Sequence, residues 1–310
     1  MRAARELSTD KYFGKNFTPG DGDIHELVEA LPSIQELAEF VASPLPVKIG
    51  LGVAELLRLG SLAGDTFCDI LFVHDEYAPC KDLWEKIFVR VLVGAHVGHT
   101  QLSFISFWDS FIRELLMTML EDHSFSDRHA SDSSSTEFKR PNLVYTFKDV
   151  CILRGQESAP GVRMSFNPTR IELKKNVRWC FGDVPYVFGY TTVSYECALF
   201  AIFSTDQKTV DTELIATFDT GYISDRFKFV LALIQLSRLF PAIVRLCPHA
   251  AKAEFKDIRR DNGAVVRLNP TFVVRDFTNA RDLDGTFTDT RQLEVKYKQL
   301  NRMAHAPYPA

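Results

Sequence analysis

The sequence lacks several features that would place it in a simple class. Its six cysteines among 310 residues are scattered, with no CxxC pair, so neither a paired-cysteine metal site nor a disulfide-stapled fold is indicated. No apolar run approaches the roughly 20 residues that a membrane helix needs. The basic N-terminal residues are not followed by the apolar segment of a secretory signal. We therefore expect free, mostly buried thiols in a reducing intracellular compartment, and no membrane partner.

What is present is an ordinary globular composition with an uneven distribution of charge. Hydrophobic residues make up 46% of the chain and charged residues 25%, which is typical of a folded protein long enough for two or three domains. Residues 1–137 contain 11 Lys+Arg against 22 Asp+Glu, whereas residues 138–180 contain nine against three. The second block would attract a polyanion. The alternative is a solvated basic face that pairs with the acidic N-terminal third.

The apolar periodicity predicts an α+β protein in three parts. The first is a mostly helical N-terminal region, the second an α/β core that contains a Ser- and Asp-rich flexible loop, and the third a hairpin, a strand and a closing helix. The predicted bounds are 1–103 for the first part, 104–250 for the second with its loop at 122–137, and 251–310 for the third.

The predicted core has a distinctive order of elements. A helix from Phe104 to Leu120 repeats apolar residues at steps of three and four. A hairpin around Lys148-Asp149 follows, then a helix from Arg170 to Cys180, three strands, and a long helix from Phe227 to Leu246. Helix, antiparallel hairpin, helix and strand is the layout of the PD-(D/E)xK nuclease core. In that core an acidic residue on the hairpin and an acidic-x-Lys sequence hold Mg²⁺ through oxygen ligands.

Several stretches resemble the crinkler-type effector family of oomycetes and related eukaryotes, in the region ahead of its kinase domain. The hairpin carries Arg140-Pro141-Asn142-Leu143 and Arg154-Gly155-Gln156-Glu157-Ser158, where the family typically has Arg-Pro-Asp-Phe and Arg-Gly-Glu-Glu-Lys. Other similar stretches are Leu31 to Phe40, Leu45 to Ile49, Leu102 to Asp109 and Phe181 to Tyr190. The resemblance implies a restriction-nuclease-like core, action inside a host cell, often in the nucleus, and a protein kinase domain downstream.

The departures from the family motif decide the expected chemistry. Asn142 stands where the family has Asp, Gln156 where it has the first Glu, and Ser158 where it has Lys. An amide oxygen can ligate a cation but supplies no charge to hold Mg²⁺. Glu157, and Glu114 on the preceding helix, remain as candidate catalytic and metal-binding residues. The competing interpretation makes Glu157 an exposed hairpin-end carboxylate and Glu114 a helix-surface one. We therefore expect no cofactor, or weakly bound Mg²⁺.

We expect the protein to bind nucleic acid even though its catalytic residues differ from the family motif. Phosphate contacts from basic side chains give affinity that is independent of sequence and sensitive to salt. The candidate basic residues are Lys139, Arg140, Arg154, Arg163, Arg170, Lys174, Lys175 and Arg178.

The last part resembles the beginning of a kinase domain. Gly263 lies in a predicted hairpin from Ile258 to Leu268, Arg275 lies at the position of the third-strand Lys, and Glu294 follows on the next helix. Arg does not replace Lys as a compact phosphate partner, and the His-Arg-Asp and Asp-Phe-Gly motifs that phosphoryl transfer needs are absent from this sequence. We expect no kinase activity in this form. The interpretation that we favour for this part is a small β-hairpin and helix packed on the nuclease-like core.

Three functions remain open from the sequence. The preferred one is an effector-like protein with an inactive nuclease fold, which binds nucleic acid or a host protein through its basic face. The second is a Mg²⁺-dependent nuclease with divergent ligands. The third is an N-terminal fragment of a crinkler-type kinase that regulates or scaffolds.

Overall fold

The computed structural model of the protein divides the chain into two compact units, Met1–Glu254 and Phe255–Ala310, which are described separately. The described residues are 31–63, 70–75, 85, 88–93, 101–120, 124–127, 141–158, 167–175, 177–205, 209–248, 256–259, 265–268 and 273–276. Most of the predicted flexible loop at 122–137 lies outside these ranges. The predicted division at residue 103 stays a prediction.

The first unit combines helices with one large sheet, so the predicted α+β class is confirmed. Its helices are α1 (Leu37–Ala42), α2 (Val53–Ala63), α3 (Val89–Leu92), α4 (Gln101–Trp108), α5 (Glu114–Met119), α6 (Asn167–Lys175) and α7 (Ile223–Leu246), with a 3₁₀ turn at Ile34–Glu36. Its strands are β1 (Ile49–Leu51), β2 (Phe72–His74), β3 (Ser124–Asp127), β4 (Leu143–Phe147), β5 (Val150–Ser158), β6 (Val187–Val193), β7 (Glu196–Ser204) and β8 (Val210–Asp219).

The large sheet has six strands in the order β3-β4-β5-β6-β7-β8, while β1 and β2 form a separate parallel pair. Within the large sheet, β5 and β6 are parallel and every other neighbouring pair is antiparallel. A parallel pair needs a crossover connection, and α6 lies in the chain between these two strands. The connection between neighbouring strands therefore changes from a hairpin to a crossover at the end of β5.

The turn between β4 and β5 is tight and left-handed. Lys148 has φ 48° and Asp149 has φ 64°, which are the values of the hairpin turn that matches the twist of the flanking strands. The sequence prediction of a hairpin around these two residues is confirmed. β5 then continues to Ser158, because its second half pairs with β6 on the other side.

Helix α7 packs against one face of the sheet. Phe240 lies with its ring centroid 6.1 Å from that of Phe147 and 6.0 Å from that of Phe188. Nearer the start of the helix, Phe229 meets Phe218 edge to face at 5.3 Å. These contacts make α7 the centre of the hydrophobic core.

The expectation that no apolar run reaches membrane length is wrong for α7. By length and composition alone, this helix could cross a membrane, and within the described residues it is the one helix that could. However, 78% of its most apolar window is buried by the protein itself. Its apolar surface is already covered by the sheet and the N-terminal helices, as in the core helix of a globular unit.

Polar contacts attach the N-terminal segment to this core. The buried Gln235 of α7 donates from Nε2 to the main-chain oxygens of Ser43, at 2.9 Å, and Pro44, at 3.2 Å. Tyr186 donates its hydroxyl to the oxygen of Pro32 at 2.8 Å, and burial, followed by the charge of Glu36, raises the pKa of this phenol. Residues 32–44 are therefore held by side chains that lie 154 to 192 positions away in the sequence.

A π-helical turn interrupts the helix that leads into the sheet. Asp109–Arg113 forms this turn between α4 and α5, with an ion pair of 3.5 Å between Arg113 Nε and Asp109 Oδ1. Such turns are rare and are often found at functional sites. Glu114, a predicted candidate, is the first residue after the turn.

The second unit contains a three-stranded antiparallel sheet. Its strands are β9 (Lys256–Arg259), β10 (Val265–Leu268) and β11 (Val273–Asp276), with β10 in the centre. Arg259 pairs with Val265, as expected for the predicted hairpin, and Arg275 lies on the predicted third strand. Gly263 and Glu294 lie outside the described residues, so the kinase-like interpretation of this sheet stays a prediction.

Replacing Gln235 with Met should destabilise the first unit by about 1–3 kcal/mol, because the carbonyls of Ser43 and Pro44 lose a buried donor. Urea unfolding followed by tryptophan fluorescence measures the change. The matched control is Arg245→Met, at an exposed position of the same helix, which should stay within about 0.5 kcal/mol of the parent. If both substitutions lowered the unfolding free energy equally, the hydrogen bonds from Gln235 to Ser43 and Pro44 would contribute no stability.

Candidate functional site

Glu157 lies near the end of the central strand β5 and is buried. Its side chain is only 4% exposed, and Tyr190 of β6 donates its hydroxyl to Oε1 at 2.8 Å. The interpretation of Glu157 as an exposed hairpin-end carboxylate is therefore wrong. The strand is bordered by β4 on one side and by β6 on the other, so its end lies inside the sheet.

Asn142 joins the start of β4 to the end of β5. Its Oδ1 accepts a hydrogen bond from the main-chain N–H of Glu157 at 2.8 Å, and its own N–H donates to the oxygen of Gly155 at 3.0 Å. The residue is buried. The structure thus brings together Asn142 and Glu157, as the sequence predicted, but the amide oxygen is used to hold the two strands in register.

Gly155 makes room for the Tyr190 side chain. The two residues are partners in the parallel register, and a Cβ on Gly155 would overlap the phenol ring and the hydroxyl of Tyr190. The ring therefore lies across the glycine and reaches Glu157 two residues further along the same face. We call Asn142, Gly155, Glu157 and Tyr190 the β5 lock.

A polar row continues from the β5 lock across the sheet. Thr192 is the register partner of both Glu157 and Cys197, and all three side chains are buried. Burial, and after it the negative charge of Glu157, raises the pKa of the Cys197 thiol well above its ordinary value. The thiol is therefore held neutral, and Cys197 is free and buried, as the sequence analysis expected.

Gln156 points to the opposite face of the sheet. It donates from Nε2 to Oε2 of Glu172 on α6 at 2.6 Å, whereas Glu157 contacts Tyr190 on the other face. Side chains alternate along a strand, so the family positions 156 and 158 share one face and Glu157 the other. The predicted set of Glu157, Gln156 and Ser158 does not converge on one point.

The residues present do not fit a tightly held Mg²⁺ ion. The three family positions supply two amides and a hydroxyl, which carry no charge, while Mg²⁺ sites use carboxylates. Glu114 opens α5, and its Oε2 is buried. Across the described ranges, no group of three or more His, Cys, Asp or Glu side chains is placed to hold a metal ion.

The predicted basic residues differ in their exposure to solvent. Arg154 is only 1% exposed, so its assignment to phosphate contacts is wrong: it lies on the central strand β5, covered on both faces. Lys175 and Arg178 are exposed. Lys139, Arg140 and Arg163 lie outside the described residues.

Two further basic residues tie α6 to the edge strand β8. Arg170 donates from Nε to the hydroxyl of Thr212 at 2.9 Å and from Nη2 to its main-chain oxygen. Lys174 pairs with Asp211, at 2.7 Å between Nζ and Oδ1. We call these four residues the α6–β8 clamp. Lys174, followed by the N–H of Thr212, holds the pKa of Asp211 below its ordinary value.

Sequence reasoning missed two residues of the site, Tyr190 and Glu172. Tyr190 lies 33 residues after its partner Glu157, within the stretch quoted for the family resemblance, and Gly155 was the available signal, because a strand glycine often marks a close approach. Glu172 was counted only as part of a predicted helix. Its contact with Gln156 follows from the crossover of α6, which residue types alone do not reveal.

Comparison with known proteins gives one informative relative. Over 251 residues, the chain is 39% identical to crinkler effector protein 8 of Phytophthora infestans. The match covers 80% of this chain, and the chain spans about 41% of the length of that relative. No family model and no solved structure matches the chain.

Replacing Gly155 with Ala should destabilise the first unit by about 1–3 kcal/mol, because the added methyl group forces Tyr190 out of its position. The matched test is the double variant Gly155→Ala/Tyr190→Ala, in which the ring is absent. Its unfolding free energy should lie close to that of Tyr190→Ala alone. If the two effects simply add, the close approach is not the cause.

The Lys174–Asp211 pair should make stability depend on pH. The folded pKa of Asp211 is lowered, so its contribution is complete above the unfolded pKa of about 3.9 and disappears as the pH falls through the folded pKa. At pH 6 the parent should exceed Asp211→Asn by no more than about 1 kcal/mol, as for exposed pairs. Urea unfolding at pH 6 and pH 3 measures this gap, which should narrow at the lower pH and be smaller in a Lys174→Met background, where the N–H of Thr212 still binds the carboxylate.

Proposed function

Because the chain belongs to the crinkler-type effector family along the residues it shares with this relative, we propose that it is an effector-like protein whose nuclease-like sheet binds nucleic acid without cutting it. The effector role rests on the family. The binding role rests on the charge of residues 138–180 and on the cations that α6 and the following segment present.

The β5 lock is the observation that carries the non-catalytic part of the proposal. At the position where the family resemblance implies a metal-binding Asp, the Oδ1 of Asn142 accepts a hydrogen bond from the main-chain N–H of Glu157. Glu157 in turn accepts the hydroxyl of Tyr190. Both contacts join neighbouring strands, so these side chains support the sheet. Glu157 is a stabilising residue in this proposal.

The order of elements supports a nuclease-like sheet. A helix, an antiparallel hairpin, a crossover helix and a parallel strand follow one another from Gln101 to Val193. This is the layout that the sequence analysis assigned to the PD-(D/E)xK core. On the α6 side, Glu172 contacts Gln156, and Lys175 and Arg178 follow in the chain, both exposed.

The chain spans about 41% of the length of its relative, so where the whole protein acts is a separate proposal. We propose action inside a host cell, with the nucleus as the compartment where a nucleic-acid ligand would be met. A regulatory or scaffolding role beside a kinase domain remains an alternative. The sheet of β9, β10 and β11 has the hairpin and third strand that this alternative requires.

A divergent Mg²⁺-dependent nuclease is the second candidate. The observation in its favour is that carboxylates lie on both faces near the end of β5: Glu157 on one, and Glu172 beside Gln156 on the other. Because these two carboxylates do not converge, either one alone would hold metal weakly. This candidate is therefore less well supported than binding without cleavage.

The test combines a salt-titrated gel shift with a cleavage assay on supercoiled plasmid in Mg²⁺ or Mn²⁺. The parent should bind DNA without cutting it. Lys175→Gln/Arg178→Gln should lower the slope of log affinity against log salt by about 0.9 for each phosphate that the variant no longer neutralises. Lys228→Gln/Arg245→Gln, which removes two exposed cations from α7, is the matched control and should leave the slope unchanged.

Two results would contradict the proposal. Metal-dependent cleavage that disappears in Glu157→Gln or Glu172→Gln, with the fold intact by circular dichroism, would establish the second candidate. If both double variants lowered the salt slope equally, binding would depend on total charge and no particular surface would bind the DNA.

A further inference from the structure

Asp211 lies where a phosphate group would find its donors. Its Oδ1 accepts from Lys174 Nζ at 2.7 Å and from the N–H of Thr212 at 2.7 Å. An ammonium and a main-chain N–H are groups that proteins use to bind phosphate oxygens. Beside them, Arg170 is fixed by two hydrogen bonds to Thr212 and lies 5.8 Å from the centre of the Phe200 ring.

This pair can be reached from solvent. The Lys174 side chain is 35% exposed and that of Asp211 is 44% exposed. Lys175 is the next residue on α6, and Arg178 follows three residues later; both are exposed. Lys174, Lys175 and Arg178 thus lie within five positions of the chain.

We propose that the α6–β8 clamp contains a phosphate subsite, formed by Lys174 and the N–H of Thr212, that the carboxylate of Asp211 occupies in the free protein. The inference rests on the proposed nucleic-acid binding and adds a regulation to it. Asp211 acts as an internal competitor for the phosphate. It therefore limits the affinity of the basic face for nucleic acid.

The carboxylate of Asp211 binds Lys174 weakly enough for a phosphate to displace it. An ion pair between two partly exposed side chains is weak because water and salt screen it. Several phosphates that arrive together, held by Lys175 and Arg178, can replace one carboxylate. Removal of the carboxylate charge therefore opens the subsite, whereas an equal change of charge elsewhere on β8 does not.

The experiment is a gel shift of a DNA duplex by the full chain between 50 and 200 mM salt. Asp211→Asn should bind more tightly than the parent at 50 mM salt. One added phosphate contact steepens the salt slope by about 0.9, so the affinity of the variant should fall about threefold more than that of the parent over this range. Asparagine has nearly the volume of aspartate, so the strand end is preserved, and its neutral amide competes with a phosphate far less than the carboxylate does.

Two variants isolate the contact. Glu213→Gln makes the same change of charge at an exposed position two residues further along β8, and it should leave the slope unchanged. Asp211→Asn/Lys174→Gln should not show the tighter binding of Asp211→Asn, because the cation that binds the phosphate is gone. Thermal unfolding of each variant checks that the fold is intact.

The outcomes separate this inference from the proposed function. Tighter binding by Asp211→Asn that depends on Lys174 and is absent in Glu213→Gln supports it, including the case in which only the opened variant binds. If the parent binds through Lys175 and Arg178 and Asp211→Asn binds no more tightly, or Glu213→Gln binds as tightly as Asp211→Asn, the subsite is wrong and the binding role stands. If no variant binds DNA at any salt concentration, both proposals fall.

Discussion

The parallel pairing of β5 with β6 is the constraint on which the first unit depends. Two glycines make it possible, one for each face. Gly155 leaves space for the Tyr190 ring, and a Cβ on Gly189 would lie 2.7 Å from Leu173 of α6 and 2.8 Å from Ile202 of β7. The tyrosine can therefore cross the pair on one face while α6 packs closely on the other. A side chain at Gly189 would keep α6 from packing this closely on the sheet.

This geometry also explains why the site is divided. Gln156 and Glu157 are adjacent in sequence but are used on opposite faces, the first beside Glu172 and the second beside Tyr190. Carboxylates are therefore available near the end of β5, but they do not converge with Asn142 into a charged cage. The side chains of Asn142, Glu157 and Tyr190 are instead used to join neighbouring strands.

Local sequence patterns predicted the helices and strands better than they predicted which side chains are buried. Alternation and turn residues were enough for the hairpin at Lys148-Asp149 and for the three later strands, because both depend on neighbours in sequence. The burial of Glu157 and Arg154 depends instead on β5 being central, which is set by pairing with a strand about 35 residues away. Likewise, the predicted helix 170–180 begins earlier and ends at Lys175, since the chain must return to start β6.

The clamp between α6 and β8 has a second effect, on the sheet as a surface for self-association. β8 is an edge strand of ten residues, and unpaired main-chain groups on such an edge can recruit a strand from another chain. Near one end of β8, Arg170 and Asp211 already bond the main-chain oxygen and N–H of Thr212; near the other, Asp225 bonds the N–H of Asp219. The sheet cannot grow at these positions by adding a foreign strand. The side chains that hold the crossover helix thus also protect the protein against aggregation through this edge.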